Sequence, residues 1–277
     1  ELRIGLQEKQ VEEAIARATG APREAVREAN NRAGDIARVA LAARHGTLAQ
    51  IEARLFHPMD FMLAKPLDSL DEIAEPTAWI LEDKFDGIRA QVHFDRGSAR
   101  IFSRGLEEVT ASFPELAEAC ARLPGSGVID GEILGWQQGR ALPFVFFQQR
   151  LSRKRPSDRL LREVPVAFVA YDLLYRDGAI LFDRPIEDRR ARLEALLADV
   201  RPPLLLARQR SAADLDAIDA IFHEARSRAN EGLVLKMRGS LYEPGRRSGA
   251  WRKLKRPFGT LDVVVTAAEQ GHGRRAT

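Results

Sequence analysis

Apolar residues fall along this chain in many short runs and a few longer stretches of helical spacing. The runs at 79–84, 88–94, 99–103, 127–134, 166–174, 204–210, 232–237 and 251–255 predict strands, marked by β-branched and aromatic residues between turn-forming ones. Three stretches at 113–123, 186–198 and 212–228 carry helical periodicity. The last opens on Ser211 with Asp214 three residues on, an approximate capping box. Strands and helices do not alternate regularly, which predicts an α+β domain built on a mixed, largely antiparallel sheet rather than a parallel doubly wound one. Ahead of it, 7–18, 22–30 and 35–44 read as three helices rich in Ala and Arg, the first stopped by Thr19-Gly20-Ala21-Pro22. The stretch 57–70 reads as a linker into the core. After Pro257 the pattern resets: 261–266 is a fresh strand of strong β propensity, followed by a polar, glycine-containing 270–277.

Composition narrows the class. A chain of 277 residues is long enough for about two domains. No apolar run approaches the roughly 20 residues that span a bilayer, so a membrane partner is not expected. A net charge of +3 with a pI near 9.2 permits a nucleic-acid partner without demanding one. Arginines outnumber lysines, and arginine suits phosphate contacts. Cys120 is the only cysteine, which excludes a disulfide within the chain and a cysteine-rich zinc site and fits a reducing cytoplasm. It sits in an apolar-periodic run and reads as a small core residue. The five histidines show no metal-ligand spacing. The chain opens on Glu1 rather than Met and is expected to be a piece of a longer protein.

Chemistry concentrates at Glu82-Asp83-Lys84-Phe85-Asp86-Gly87-Ile88-Arg89. Lys84 lies near the end of one predicted strand, and Asp86-Gly87 supplies a turn before the next. A free lysine titrates near 10.4, so attack on phosphorus needs an environment that yields the neutral amine. Taken alone, the octet reads equally as a surface turn of mixed charge.

Lys84-Phe85-Asp86-Gly87-Ile88-Arg89 resembles the K-x-D-G-x-R element of the covalent nucleotidyltransferases. Ser103-Arg104-Gly105, Asp130-Gly131-Glu132, Phe147-Gln148-Gln149-Arg150-Leu151, Glu231-Gly232-Leu233-Val234-Leu235-Lys236 and Trp251-Arg252-Lys253-Leu254-Lys255 look like the remaining elements, in that superfamily's order. The resemblance is closest to ATP-dependent DNA ligases of the bacterial repair type and covers nearly the whole chain. It implies a nucleotidyltransferase (adenylation) domain at 59–257. At 1–58 it implies the end of a helical DNA-binding domain, and at 258–277 the first strand of an OB-fold. The implied activity is self-adenylylation by ATP with Mg²⁺, AMP transfer to the 5′-phosphate of nicked double-stranded DNA, and sealing by the 3′-hydroxyl. The protein would act as a monomer in the bacterial cytoplasm, at the nucleoid, in repair, recombination or replication.

The same resemblance implies roles residue by residue. Lys84 is the nucleophile. Glu82, two positions earlier and on the same strand face, accepts from the adenine amino group; otherwise it is a surface strand acid. Arg89 and Arg104 suit ribose hydroxyls and phosphate oxygens. Glu132 contacts ribose or metal and Glu231 binds metal, unless each is a strand-end charge. Tyr171 stacks on the purine, unless it is a core aromatic. Lys253 and Lys255, sharing a strand face, form a cation pair on the α-phosphate that lowers the Lys84 pKa; Lys236 and Arg247 join the nucleotide-binding set. The spacing Tyr242-Glu243…Arg247-Ser248…Trp251 is the feature most particular to DNA ligases. Arg150, Arg153, Lys154 and Arg155 read as a basic loop on DNA phosphates or in solvent. The rival readings are an RNA ligase or GTP-using capping enzyme, a NAD-dependent ligase, and a non-catalytic DNA clamp of the same fold. The single cysteine argues against the NAD-dependent class.

Overall fold

The computed structural model describes residues 8–151 and 153–256, with 264 and 266. The strand expected at 261–266 therefore lies outside the described residues. Three helices open the chain: α1 (Glu8–Thr19), α2 (Arg23–Ala33) and α3 (Ile36–His45). They close on a small core that includes Val26, Ala29, Ala33 and Val39. Asp35 caps α3 by accepting from the Arg38 amide at 3.2 Å, and Gly34 and Gly46 end α2 and α3 in the left-handed region that favours glycine.

The core then runs β1 (Lys65–Leu67), β2 (Trp79–Lys84), β3 (Ile88–Asp95), β4 (Ser98–Ser103), α4 (Pro114–Ala121), β5 (Ser126–Gln137), β6 (Arg140–Ala141), α5 (Phe144–Leu151) and α6 (Asp158–Glu163). It continues with β7 (Val166–Arg176), β8 (Ala179–Ile180), α7 (Ile186–Leu196), β9 (Leu204–Leu206), β10 (Gln209–Arg210), α8 (Leu215–Ser227), β11 (Gly232–Met237) and β12 (Trp251–Lys255). Two sheets result. One has the order β1-β12-β11-β2-β10; the other has β4-β3-β5-β7-β8, with β6 beside β5 and β9 beside β7. All pairings are antiparallel except β1 with β12 and β9 with β7, as the α+β reading expects.

Alternation in the strands assigns the faces. Leu81, Leu233, Leu235 and Leu254 point to one side of the five-stranded sheet and pack on Ile218, Ile221 and Phe222 of α8. Ala90, Val92, Phe94, Ile129 and Ile133 do the same in the larger sheet, against Leu116 and Cys120 of α4 and Leu193 of α7. Each fully buried Leu, Ile, Val or Phe among them contributes roughly 1.5–3 kcal/mol. Cys120 is a core residue as expected, and burial pushes its thiol up to about 12.

Four local expectations change. The run at 204–210 is two strands, β9 and β10, in different sheets, with the Ala207 amide donating to the Ala170 carbonyl between them. The linker contains β1, which pairs with β12. The helix at 212–228 starts later: Asp214, not Ser211, is its cap, accepting from the Ala217 amide at 2.7 Å, while the Ser211 hydroxyl accepts from Arg238. Arg150 is no loop residue but lies in α5, fully buried, where it donates to the carbonyls of Val164 and Ser112 and pairs with Glu115. Among the described residues no helix is long and apolar enough to cross a membrane.

Candidate active site

The turn after Lys84 hands the chain from one sheet to the other. β2 belongs to the smaller sheet and β3 to the larger, so 85–87 crosses the seam rather than closing a hairpin. Gly87 is required there, because a Cβ would collide with the Ile133 carbonyl and press on the Glu132 side chain. The opposed faces of the two sheets enclose a cavity of about 540 Å³.

Strand register places the smaller sheet's contribution in rows. Lys84, Gly232 and Lys255 stand side by side, then Glu82, Val234 and Lys253, then Ile80, Lys236 and Trp251. The period of two turns Glu82, Lys84, Val234, Lys236, Trp251, Lys253 and Lys255 toward the cavity. The larger sheet supplies Arg89, Glu132 and Tyr171, and its Ser103–Gly105 turn brings Arg104. The loop between β11 and β12 brings Arg247.

Lys84 Nζ lies 2.7 Å from Glu231 Oε2, and Lys255 pairs with the same oxygen. The Glu231 amide donates to the Lys84 carbonyl at 2.8 Å, so the acid and the lysine are held by their backbones as well. Behind them Asp83, on the other face of β2, accepts from Arg228 and Asn230. Desolvation pushes the Glu231 carboxyl up, but the Lys255 and Lys84 ammoniums outweigh it and hold it below the ordinary carboxylate range. Glu132 goes the other way. Desolvation raises it to about 7 against the pull of Lys84 and Arg89, with the Asp130 and Glu231 charges adding to the rise. Desolvation and Glu231 also raise Asp86.

The cations divide into two sets. No described carboxylate pairs with Arg104, Arg247 or Lys253. Desolvation, then the charges of Arg247, Lys255, Lys84 and Arg104, hold Lys253 below the ordinary lysine value. Such a concentration of unpaired positive charge in a half-open cavity suits a polyanion. Lys236 and Arg89 stand apart from it. Lys236 is 1% exposed, pairs with Glu82 at 2.7 Å and sits 4.4 Å from the ring centroids of Tyr171 and Trp251. Arg89 forks onto Asp130 at 3.1 and 2.6 Å and donates to the Met62 carbonyl at 2.5 Å, which engages three of its five donors. Tyr171 borders the cavity edge-to-face with Trp251.

Two residues that carried no expected role complete the setting. Asp130 is fully buried between Arg89 and the Tyr242 hydroxyl, which donates to it at 2.9 Å. An acid inside an otherwise apolar predicted strand was its signal. Gln209 donates to Glu82 Oε1 at 2.8 Å, and nothing local in the sequence marks it. Among the described residues no three acidic, histidine or cysteine side chains form a ready metal cluster.

Comparison with known proteins identifies the family. The family model described as "ATP dependent DNA ligase domain" matches residues 61–255. A probable DNA ligase of Koribacter versatilis is 46% identical, the match covering 100% of this chain and 52% of that protein. A DNA ligase of Methanothrix thermoacetophila is 37% identical, over 100% of this chain and 50% of that one. The chain spans about half the length of these curated relatives. A structure of mycobacterial DNA ligase D complexed with ATP and MES superposes with a TM-score of 0.57 at 30% identity, over 71% of this chain and 60% of the other. The Chlorella virus DNA ligase-adenylate shares the fold at 15% identity and a TM-score of 0.54. With most of its length matched by the family model and its whole length aligned to named ligases, this chain belongs to the ATP-dependent DNA ligase family.

Proposed function

We propose that the cavity binds ATP and that Lys84 Nζ attacks its α-phosphorus. The N–P bond forms as the bond from the α-phosphorus to the α,β-bridging oxygen breaks. Pyrophosphate leaves with that oxygen and its electron pair, and the amine gives up its proton, leaving AMP on Lys84 as a phosphoramidate. AMP then passes to the 5′-phosphate at a nick in double-stranded DNA, and attack by the 3′-hydroxyl joins the strand and releases AMP. Residues 59–257 would be the adenylation domain, with 1–58 toward DNA and 258–277 opening an OB-fold. The protein would act as a monomer in the cytoplasm.

The observation that carries the reading is one amine at the seam of two sheets, beside Glu231 and facing three unpaired cations. Arg104, Arg247, Lys253 and Lys255 would take the phosphates, stabilising charge where it develops on the leaving group. Glu82 would accept from the adenine amino group and Tyr171 would stack on the purine. Arg89 has donors left for ribose or phosphate beyond its Asp130 fork. Glu132 and Glu231 would hold Mg²⁺. The donor set fits: two carboxylates, one of them without a described partner, with room for waters and phosphate oxygens, match a small hard cation. When bound, that ion would neutralise phosphate charge. The capture of the mycobacterial relative with ATP supports the choice of nucleotide.

The test is incubation with α-labelled ATP or GTP, then mapping of the covalent label. The expected adduct is on Lys84, acid-labile and base-stable, and absent from Lys84→Ala. A label that survives that substitution, or that forms equally from GTP, would overturn the reading.

A further inference from the structure

Glu82 is held on both sides. Its Oε1 accepts from Gln209 Nε2 at 2.8 Å, and Gln209 is its direct cross-strand partner in β10. Its Oε2 faces Lys236 Nζ at 2.7 Å. Lys236 Nζ also donates to the Tyr171 carbonyl at 3.4 Å, which with Glu82 engages two of its three donors, and it rests against the Tyr171 and Trp251 rings. The buried ammonium at this wall is thus tied to Glu82, and the carboxylate is fixed in direction from both sides. What Glu82 itself offers a purine at this wall is a set of carboxylate lone pairs, which accept hydrogen bonds.

We infer that Gln209, with Lys236, is the positioning element that makes Glu82 select a 6-amino purine over a 6-oxo purine. The inference rests on the reading of the cavity as an ATP site. An exocyclic amino group donates to the fixed carboxylate, whereas the 6-oxo group of guanine would set one acceptor against another. A buried polar group that is left unpaired or opposed discriminates far more strongly than a missing methylene does. Gln209 donates to Glu82 Oε1 and is not among the residues lining the cavity, so it acts through Glu82, and its loss should affect only substrates whose amino group Glu82 reads.

The experiment measures kcat/KM for covalent labelling of Lys84 by ATP and by purine riboside triphosphate, which lacks the 6-amino group. Wild-type protein is compared with Gln209→Leu, and circular dichroism monitors the fold. Wild type should favour ATP by about tenfold to a hundredfold, the range of a hydrogen bond to a charged acceptor. Gln209→Leu should cut that preference about tenfold, through KM for ATP, and leave purine riboside triphosphate unchanged. A second variant, Glu82→Gln, puts an amide donor at the wall and should raise labelling from GTP relative to ATP. Equal losses for both triphosphates in Gln209→Leu would make Gln209 merely structural and overturn the inference. So would a wild type that labels equally from both. Wild-type protein that takes no label from ATP would instead overturn the reading of the cavity itself.

Discussion

At the scale of the residue, two glutamates of one cavity are driven in opposite directions by their surroundings. Glu231 is satisfied by two ammoniums and stays charged. Glu132 has no described partner, and desolvation raises it from 4.5 to about 7. A carboxyl whose folded pKa lies above its unfolded value binds its proton more tightly in the fold. Its contribution is therefore favourable at low pH and is lost as pH rises from 4.5 through 7. Relative to a neutral residue, ionised Glu132 costs the empty fold up to roughly 3 kcal/mol at pH 8. Glu132→Gln should accordingly raise the unfolding free energy at pH 8, leave it nearly unchanged at pH 4.5, and depress covalent labelling at both. Urea titrations at the two pH values read the first part. A variant less stable than wild type at pH 8 would show that the carboxylate has a partner in the fold.

At the scale of the element, β3 works on both faces. Ala90, Val92 and Phe94 enter the core, while Gln91 and His93 secure the segment leading into β1. The Phe56 amide donates to His93 Nδ1 at 3.0 Å, His93 Nε2 meets Gln91 Oε1 at 3.3 Å, and Gln91 exchanges hydrogen bonds with Met59. Burial, with a smaller push from His57, lowers His93 from 6.5 to about 3. The fold thus needs the neutral ring. Stability is level above 6.5 and falls as pH drops from 6.5 toward 3, at up to about 1.4 kcal/mol per unit. Between pH 7 and 5 His93 should remove roughly 2 kcal/mol, opposite in sign to Glu132. His93→Gln should be less stable than wild type at pH 7 yet lose less on going to pH 5; parallel pH curves would refute it. The alternation that orders such strands also made the site partly legible. Glu82 with Lys84, and Lys253 with Lys255, lie two apart and share the cavity face, as their spacing says. Sheet membership is not local information. Nothing in 204–210 announces that Leu204–Leu206 joins one sheet and Gln209–Arg210 the other. Phe144–Leu151 hid its helix because Val145 and Phe146 face outward while Phe147 and Arg150 are buried. The acceptors that satisfy Arg150 lie as far away as Ser112, and Asp130 is 41 positions from the Arg89 it fixes.

At the scale of the whole molecule, the question is what keeps two sheets in a relation fine enough to aim one amine. Their joint is polar as well as apolar. Met59, Met62, Val128, Leu174, Phe182, Tyr242 and Trp251 pack across it. Through the middle runs a chain of hydrogen bonds: the Met62 amide donates to the Tyr242 hydroxyl at 3.1 Å, that hydroxyl donates to Asp130, and Asp130 takes the Arg89 fork. It links the entry segment, the loop between β11 and β12 that carries Arg247, and strands β3 and β5 of the larger sheet. Burial and the Asp130 charge push the Tyr242 phenol well above its ordinary range, so it stays a donor throughout the working pH range. Tyr242→Phe keeps the ring and removes only the oxygen. It leaves the Met62 amide without its acceptor and Asp130 without one donor, at a cost of roughly 2–4 kcal/mol in stability. At about 2–4 °C per kcal/mol for a chain of this size, melting should fall by around 10 °C. Because Tyr242 lies in the loop that also carries Arg247 into the cavity, labelling by ATP should also weaken beyond what partial unfolding explains, at a temperature where the variant is folded by circular dichroism. A variant that melts lower but labels at the wild-type rate would confine the chain of bonds to stability. One that melts with wild type would show that apolar packing alone sets the two sheets against each other.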